Sequence, residues 1–244
     1  MFKFSGRTSR QRGRDKIDGV INWLRCFDYS DIYLLSRYLN VDANGQRHFY
    51  TKLEQEGVIT SLKLPLIRRR LYCLDRLGRE RAQTLYPTEP LKKVSTQPNW
   101  TKLAHLFAIQ TAVLNRLDRL DDFVAEKFLV NQFKTKHIPD ALLVAEQQRT
   151  ALEVELSHKA DLRIYFIFLN HVKNLGNAEY DRVHYVFQDH SLMTLYQTKF
   201  DCQEWPVIKY DRSKRKLVKQ EITYKPPVEL QDAFAFTQET LYDL

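Results

Sequence analysis

The segment KHIPDALLVAEQQRTALEVELSHK, residues 136–159, sets short apolar runs beside three carboxylates and a lysine. The runs DALLVAEQQ and TALEVELS have the length of strands, and the polar letters EQQR between them predict the turn of a hairpin. Side chains alternate along a strand, so Glu153 and Glu155 project from the same face. Asp140 opens the first strand, and the hairpin brings it towards Glu155.

The three carboxylates predict a metal site. Two like charges side by side on a strand repel each other, and a cation between them removes that repulsion. Oxygen ligands from Asp140, Glu153 and Glu155 on adjoining strands suit Mg²⁺ or Mn²⁺. Lys159, just past the strand, is placed to reach a phosphate oxygen or a metal-bound water. The same pattern also fits a strand whose acidic face is solvated without any metal.

The surrounding segments predict a mixed sheet flanked by helices. A strong helix after residue 98 precedes DFVAEKFLV and the hairpin, and a nearly apolar helix follows in KADLRIYFIFLNHVKN. RVHYVFQD is typical of a buried strand, SLMTLYQTKF of a helix and WPVIKYD of a final strand. The order is therefore α-β-β-β-α-β-α-β. The charged, proline-containing tail, residues 213–244, is expected to be extended or weakly ordered.

Positive charge is confined to the first part of the chain. The 244 residues carry a net charge of +8, but residues 1–97 hold 19 Lys and Arg against 10 Asp and Glu, whereas the rest has a net charge of −1. This asymmetry favours a nucleic-acid-binding module joined to a second domain, although a merely solvated basic surface gives the same count. The sequence contains no apolar run of about 18 residues, so a membrane span is not expected. Its three cysteines are far apart, which favours a reducing cytoplasm.

The basic part has the element order of a winged helix-turn-helix domain. Helices are predicted in DKIDGVINWLRCF, in YSDIYLLSRYLN with Ser30 as its N-cap, and in NGQRHFYTKLEQEG up to Gly57. The extended runs VITSLKLP and RRRLYCLD, joined around Pro65, would form the wing. A protein-docking module has the same order. The predicted DNA contacts are Arg47, Tyr50 and Lys52 on the third helix and Arg68, Arg69 and Arg70 on the wing.

The proline-containing stretch LYPTEPLKKVSTQPNW predicts a linker that ends near residue 97. The sequence thus predicts three parts: a winged-helix DNA-binding domain with its linker (1–97), the sheet domain (98–212) and the tail (213–244).

The letters IPDALL…ALEVELSHK resemble the PD-(D/E)xK nuclease signature on a restriction-endonuclease-like core, over roughly residues 98–210. With the basic domain, the whole chain is similar to MobC-type plasmid mobilisation relaxases of the replication-relaxation family. The resemblance implies a cytoplasmic endonuclease, dependent on Mg²⁺ or Mn²⁺, that nicks one DNA strand at an origin of transfer beside an accessory relaxosome protein and a coupling protein. It makes Asp140, Glu153 and Glu155 the metal ligands and Lys159 the catalytic cation, although Glu155 stands where many nucleases have the motif lysine.

The sequence does not decide the nucleophile, and it is compatible with two other functions. Tyr165 is the tyrosine nearest to the motif and therefore a candidate nucleophile, with water as the alternative. His137 and His158 flank the motif, where either could touch substrate or assist proton transfer, and both are expected at solvent-exposed strand ends. The rivals are a non-catalytic winged-helix replication or regulatory protein and a restriction endonuclease that cuts both strands.

Overall fold

The structure is a computed structural model that describes residues 8–63, 69–88, 91, 93–130 and 132–241. The chain divides into two compact units, one that runs up to Asp118 and one that comprises Arg119–Leu241. Over the described ranges, helices are too short or too polar to cross a membrane.

The first unit is mainly helical and carries a small sheet of order β1-β3-β2, in which all pairs are antiparallel. Its helices are α1 (Ser9–Phe27), α2 (Ile32–Leu39), α3 (Arg47–Gln55), α4 (Arg76–Leu85) and α5 (Trp100–Leu114). Its strands are β1 (Ser30–Asp31), β2 (Ile59–Lys63) and β3 (Arg70–Leu74). The predicted order of three helices followed by two paired strands is present, and the turn around Pro65 lies outside the described residues.

Polar caps set the ends of the helices in this unit. Asp31 caps α2, because its carboxylate accepts hydrogen bonds from the N–H groups of Tyr33 and Leu34, both at 2.9 Å. The predicted cap, Ser30, is instead buried and donates its hydroxyl to Gln110. Gly57 follows α3 with a φ of 68°, a left-handed conformation that glycine adopts without strain.

The helix α5 belongs to the first unit, whereas the sequence assigned it to the second domain. Gln110 explains the difference: its side-chain oxygen accepts hydrogen bonds from Trp23 Nε1 and Ser30 Oγ, both at 2.7 Å, and its amide donates to the carbonyl of Tyr29 at 2.9 Å. A buried amide with all these partners ties α5 to α1 and β1. The division between the units therefore falls about twenty residues after the predicted one.

The second unit contains a five-stranded mixed sheet flanked by helices, as predicted. The strands of the whole second unit are β4 (Asp122–Ala125), β5 (Ala141–Ala145), β6 (Gln148–Glu155), β7 (Arg182–Phe187), β8 (Trp205–Asp211), β9 (Lys216–Tyr224) and β10 (Phe234–Gln238). Its helices are α6 (Glu126–Leu129), α7 (Asp161–Gly176), α8 (His190–Phe200) and α9 (Leu230–Ala233).

The order of this sheet is β10-β7-β6-β5-β4. The strands β4, β5 and β6 form an antiparallel meander, α7 crosses over, and β7 and β10 then run parallel to β6. The apolar side of α7 is buried in an aromatic core with β7, α8 and β10, to which Phe168, Tyr185 and Phe200 contribute.

The tail differs from its prediction. Residues 216–224 form β9, which pairs with β8 in a separate hairpin, and β10 completes the main sheet beside β7. The strand WPVIKYD is therefore not the last strand of the main sheet. The apolar pair Phe234 and Phe236 accounts for the ordered end, because both rings pack on the core around Tyr185 and Phe200.

Candidate metal centre and nucleic-acid surface

The hairpin β5–β6 brings Asp140 beside the two glutamates. Its two-residue turn, Glu146 and Gln147, has positive φ at both positions, the geometry that matches the twist of paired strands. The pairing of Ala141 with Leu152 places Asp140 opposite Glu153 at the end of the ladder. Oδ2 of Asp140 accepts the N–H of Val154 at 2.8 Å, which fixes this carboxylate between the two glutamates along β6.

Glu153 is buried and faces two histidines. Its Oε1 accepts a hydrogen bond from Nε2 of His137 at 2.7 Å and lies 3.2 Å from Nε2 of His171. Burial alone would raise the pKa of Glu153, but the charge and hydrogen bond of His137 hold it well below its ordinary value. Burial would likewise lower the pKa of His137, and the carboxylate outweighs that effect and raises it.

His171 lies on the buried side of α7 and is held in place by its other nitrogen. Nδ1 is 2.6 Å from the hydroxyl of Tyr180, which also accepts a hydrogen bond from the Asn174 amide at 3.1 Å. Nε2 points towards Glu153 without the alignment of a hydrogen bond and is left as a buried polar atom without a partner. Burial lowers the pKa of His171, which favours the neutral ring.

Glu155 is also buried, at 2% exposure, and forms an ion pair with Lys159. Burial raises the pKa of Glu155 to about 7, although Lys159 opposes the shift. The hydroxyls of Tyr185 and Tyr196 lie near this carboxylate, and both are buried without a hydrogen-bond partner. Arg163, exposed in the first turn of α7, is a further cation close enough to act on His137 and Tyr196.

The compact ligand set differs from the predicted set of three carboxylates. In the described part of the chain, His137, Glu153 and His171 form the group whose ligand atoms all lie within 4.8 Å of one another. Asp140 and Glu155 are outside it, because Glu153 turns to the imidazoles and Glu155 turns to Lys159. Asp140 is nevertheless close enough to act electrostatically on Glu155 and on both histidines.

The sequence did not predict either histidine as a metal ligand. It expected His137 at an exposed strand end, whereas this ring is 8% exposed and makes a T-shaped contact with His171 at 4.9 Å. One signal was available for His171, since it is a polar residue on the buried side of an apolar helix. For His137, the signal was its position three residues before Asp140, in a segment that must run along the end of the hairpin.

Tyr165, the candidate nucleophile, has the surroundings of a packing residue. Its ring contacts Phe168 and Trp205, and the charges that act on its hydroxyl come from Cys202 and Asp161. Burial raises the pKa of this hydroxyl, which disfavours the phenolate that would attack a phosphate.

Most of the predicted DNA contacts in the first unit are exposed. Arg47 and Lys52 are exposed on α3, and Lys52 lies 3.7 Å from Glu56. Arg69 lies 3.6 Å from Asp31, and Arg70 lies 3.8 Å from Glu54. The Lys52–Glu56 pair is exposed and therefore weak, so Lys52 is able to exchange its partner for a phosphate. The partner of Arg69, Asp31, is instead fully buried. Arg68 lies outside the described residues.

Tyr50 is the exception, and the prediction that it contacts DNA is wrong. Its side chain is 1% exposed, its ring stacks on Tyr72 at 5.4 Å between centroids, and burial raises the pKa of its hydroxyl. The helix α3 therefore turns Tyr50 and Leu53 inward, and Phe49 is only partly buried.

The second unit has a basic groove, although this part of the chain has no excess of positive charge. The groove has a volume of about 730 Å³ and an exposed aromatic ring, Tyr210, with the ammonium of Lys136 4.6 Å from the ring centroid. Its lining includes no carboxylate. Four exposed lysines line it: Lys134, Lys136, Lys173 and Lys209.

Comparison of the chain with protein-family models, with curated proteins and with solved structures gave no match.

Proposed function

We propose that the protein is a metal-dependent endonuclease that nicks one strand of DNA, of the kind found in MobC-type plasmid mobilisation relaxases. The observation that carries the proposal is the hydrogen bond from the Val154 N–H to Asp140, which holds a third carboxylate beside Glu153 and Glu155. Lys159 supplies a cation at the end of the same strand. The carboxylates suit a metal ion that activates water and stabilises charge on a phosphate, and the lysine adds a further cation beside it.

The element order of both units supports this reading. In the second unit, an antiparallel meander followed by a helical crossover to a parallel strand agrees with a restriction-endonuclease-like core. In the first unit, three helices followed by the strands β2 and β3 agree with a winged helix-turn-helix domain. The same assignments would make the first unit the module that finds the origin of transfer and the second the module that cuts there.

The donor set suits a hard divalent cation, because Asp140 and Glu155 offer oxygens at one end of the hairpin. Both contacts of Glu153 with the imidazoles use Oε1, which leaves Oε2 as a third oxygen donor. Mg²⁺ or Mn²⁺ held by these oxygens would activate water and neutralise charge on the phosphate. Lys159 would leave Glu155 for a phosphate oxygen, and Arg163 is exposed to contact the neighbouring phosphate.

The basic groove supports a path for the DNA strand in the second unit. Four lysines would neutralise phosphates, and Tyr210 presents a ring on which a base can stack. Thr135, which lies between Lys134 and Lys136 in the groove lining, donates its hydroxyl to the carbonyl of His137. The groove and the carboxylate cluster therefore share one loop.

A second candidate function is DNA binding without cleavage. It is favoured by the internal neutralisation of the two glutamates, since Glu153 pairs with His137 and Glu155 with Lys159. A unit built only for packing would show such pairs, and the protein would then act as a replication or regulatory factor.

Nicking of supercoiled plasmid DNA that carries a candidate origin of transfer separates the two functions. The wild-type protein, with accessory partners added where needed, is expected to produce open circles with Mg²⁺ or Mn²⁺ and none with a chelator. Asp140→Asn should abolish nicking. Asp181→Asn is a matched control, because Asp181 also accepts a backbone N–H, that of Arg149 at 2.7 Å.

Three results would decide against the proposed activity. Absence of metal-dependent cutting by the wild-type protein favours the non-catalytic function. Equal rates for Asp140→Asn and Asp181→Asn would remove the carboxylate cluster from the reaction. Linear product instead of open circles would indicate a double-strand cut of the restriction type.

A further inference from the structure

We propose that His137, Glu153 and His171 form a direct binding site for a divalent cation of the transition series, with Zn²⁺ or Fe²⁺ as the expected class. The site does not depend on the proposed nicking activity. It also differs from the oxygen-donor set described above in its ligand chemistry, because two imidazoles and one carboxylate favour these metals over Mg²⁺.

The three ligand atoms lie close enough together to share one ion. Oε1 of Glu153 lies 2.7 Å from Nε2 of His137 and 3.2 Å from Nε2 of His171, and the three ligand atoms are all within 4.8 Å of one another. Ligand atoms that each lie about 2.0–2.1 Å from one ion are roughly 3 Å apart. Small side-chain movements therefore suffice to place an ion between the three atoms.

One ring nitrogen of His171 is buried without a hydrogen bond, and a bound cation would satisfy it. This ring has 0% exposure, yet its Nε2 has no hydrogen-bond partner although it points at Glu153. A buried polar atom without a hydrogen bond destabilises the folded state. Hydrogen bonding between His137 and Glu153 satisfies two members of the cluster and leaves the third unsatisfied, whereas a cation would satisfy all three.

The outer contacts of His171 suit a metal ligand. Metal-binding histidines commonly donate their second N–H to an oxygen that fixes the ring and its tautomer. The Tyr180 hydroxyl, 2.6 Å from Nδ1, is placed to accept that proton, and the Asn174 amide holds the hydroxyl from the other side. With Nδ1 protonated, the lone pair of Nε2 faces Glu153.

The elements that supply the ligands make the site rigid on two sides. Glu153 lies inside β6, between β5 and β7, and His171 lies in the middle of α7. His137 comes from the loop before β5, at 8% exposure, and is the ligand nearest to solvent. Asp140 acts electrostatically on both imidazoles and is a candidate for an additional ligand.

The test uses the full chain, stripped with a chelator and then dialysed at neutral pH. Titration with Co²⁺ is expected to reach one equivalent and to give a visible absorption spectrum of nitrogen and oxygen ligation. Zn²⁺ should displace Co²⁺ stoichiometrically and raise Tm, whereas Mg²⁺ in large excess should not displace Co²⁺. A wild-type protein that binds neither Co²⁺ nor Zn²⁺ at one equivalent would overturn the site, whatever the result of the nicking assay.

Variants locate the ion at these residues. His137→Gln should weaken Co²⁺ binding roughly 100-fold or more, since even outer partners of a metal ligand account for about 10–100-fold. Tyr180→Phe should weaken it roughly 10-fold and keep the spectrum. His158→Gln is the matched control, an exposed histidine in the same unit, and should bind as the wild type does. Unchanged binding by a folded His137→Gln would exclude the assigned ligand. If this variant does not fold, the wild-type titration still decides.

Discussion

Oδ2 of Asp140 accepts the backbone N–H of Val154 at 2.8 Å, so the residue that opens β5 is tied to the residue between the two glutamates of β6. A strand N–H that pairs with a side chain instead of a backbone carbonyl marks the place where the ladder ends. One hydrogen bond therefore both closes the hairpin and brings the third carboxylate to the cluster.

This bond leads to different outcomes for two substitutions of Asp140. Asp140→Asn can still accept the Val154 N–H, so we expect nicking to be lost while Tm changes little. Asp140→Ala removes this hydrogen bond and should in addition lower the free energy of unfolding by about 1–3 kcal/mol. Chemical denaturation beside the nicking assay measures both effects. Equal stability of the two variants would mean that the hydrogen bond has no role in closing the hairpin.

The second expectation concerns Glu155 in the chelated protein. Its pKa rises from an ordinary 4.5 to about 7 on folding, so the folded state holds the proton more tightly than the unfolded chain does. Stability should therefore fall as the pH rises from about 4.5 to about 7, and the full penalty is present above that window. Glu155→Gln removes the titrating group, and the freed Lys159, 34% exposed, can be solvated.

The variant should accordingly be more stable than the wild type above pH 7, by up to about 3 kcal/mol, and equal to it near pH 4. Melting curves in a chelator across this range measure the difference. Parallel curves for the two proteins would show that Glu155 is not buried as described. With Mn²⁺ present, the wild type should regain stability, because the cation takes over the charge that Lys159 only partly balances.

A third expectation concerns the lysine groove. If a single strand lies along it and each lysine neutralises one phosphate, replacing Lys134, Lys136, Lys173 and Lys209 with Gln should reduce the slope of log affinity against log salt by roughly three units. The control replaces four exposed lysines that do not line the groove, Lys214, Lys216, Lys219 and Lys225. Similar slopes for the two variants would leave the first unit as the sole site of DNA contact.

The sequence predicted the sheet because its strands carry local signals, such as the polar turn between two apolar runs and the alternation of Glu153 and Glu155. It could not predict the direction of each carboxylate, which depends on residues brought in from elsewhere. His171 arrives on a crossover helix, and His137 arrives on a loop without periodicity. Tyr50 was misplaced for a related reason, because α3 has two candidate inner faces and only the pairing with Tyr72 on β3 decides between them.

The contacts of Gln110, a polar residue on the buried side of the apolar helix α5, were not predicted, and they lead to the last expectation. A fragment that stops at the predicted linker, residues 1–97, lacks the side chain that accepts from Trp23 and Ser30 and donates to the Tyr29 carbonyl. It also lacks Asn115, whose side-chain oxygen accepts from Arg37 at 2.9 Å. A fragment of residues 1–118 retains these bonds. With each bond contributing about 1 kcal/mol, it should exceed the shorter fragment in free energy of unfolding by roughly 3 kcal/mol or more.

Gln110→Leu in the full chain tests the same contacts without truncation. Leucine keeps the volume approximately but removes the 2.7 Å bond from Trp23 Nε1, so the first unit should melt at lower temperature while the Mn²⁺ response of the second unit is unchanged. DNA binding by residues 1–118 should then be steeply salt-dependent, and residues 1–97 should bind weakly because they fold poorly. Equal stability and equal DNA affinity of the two fragments would show that α5 is dispensable for the first unit, and that the predicted linker is the true end of the DNA-binding module.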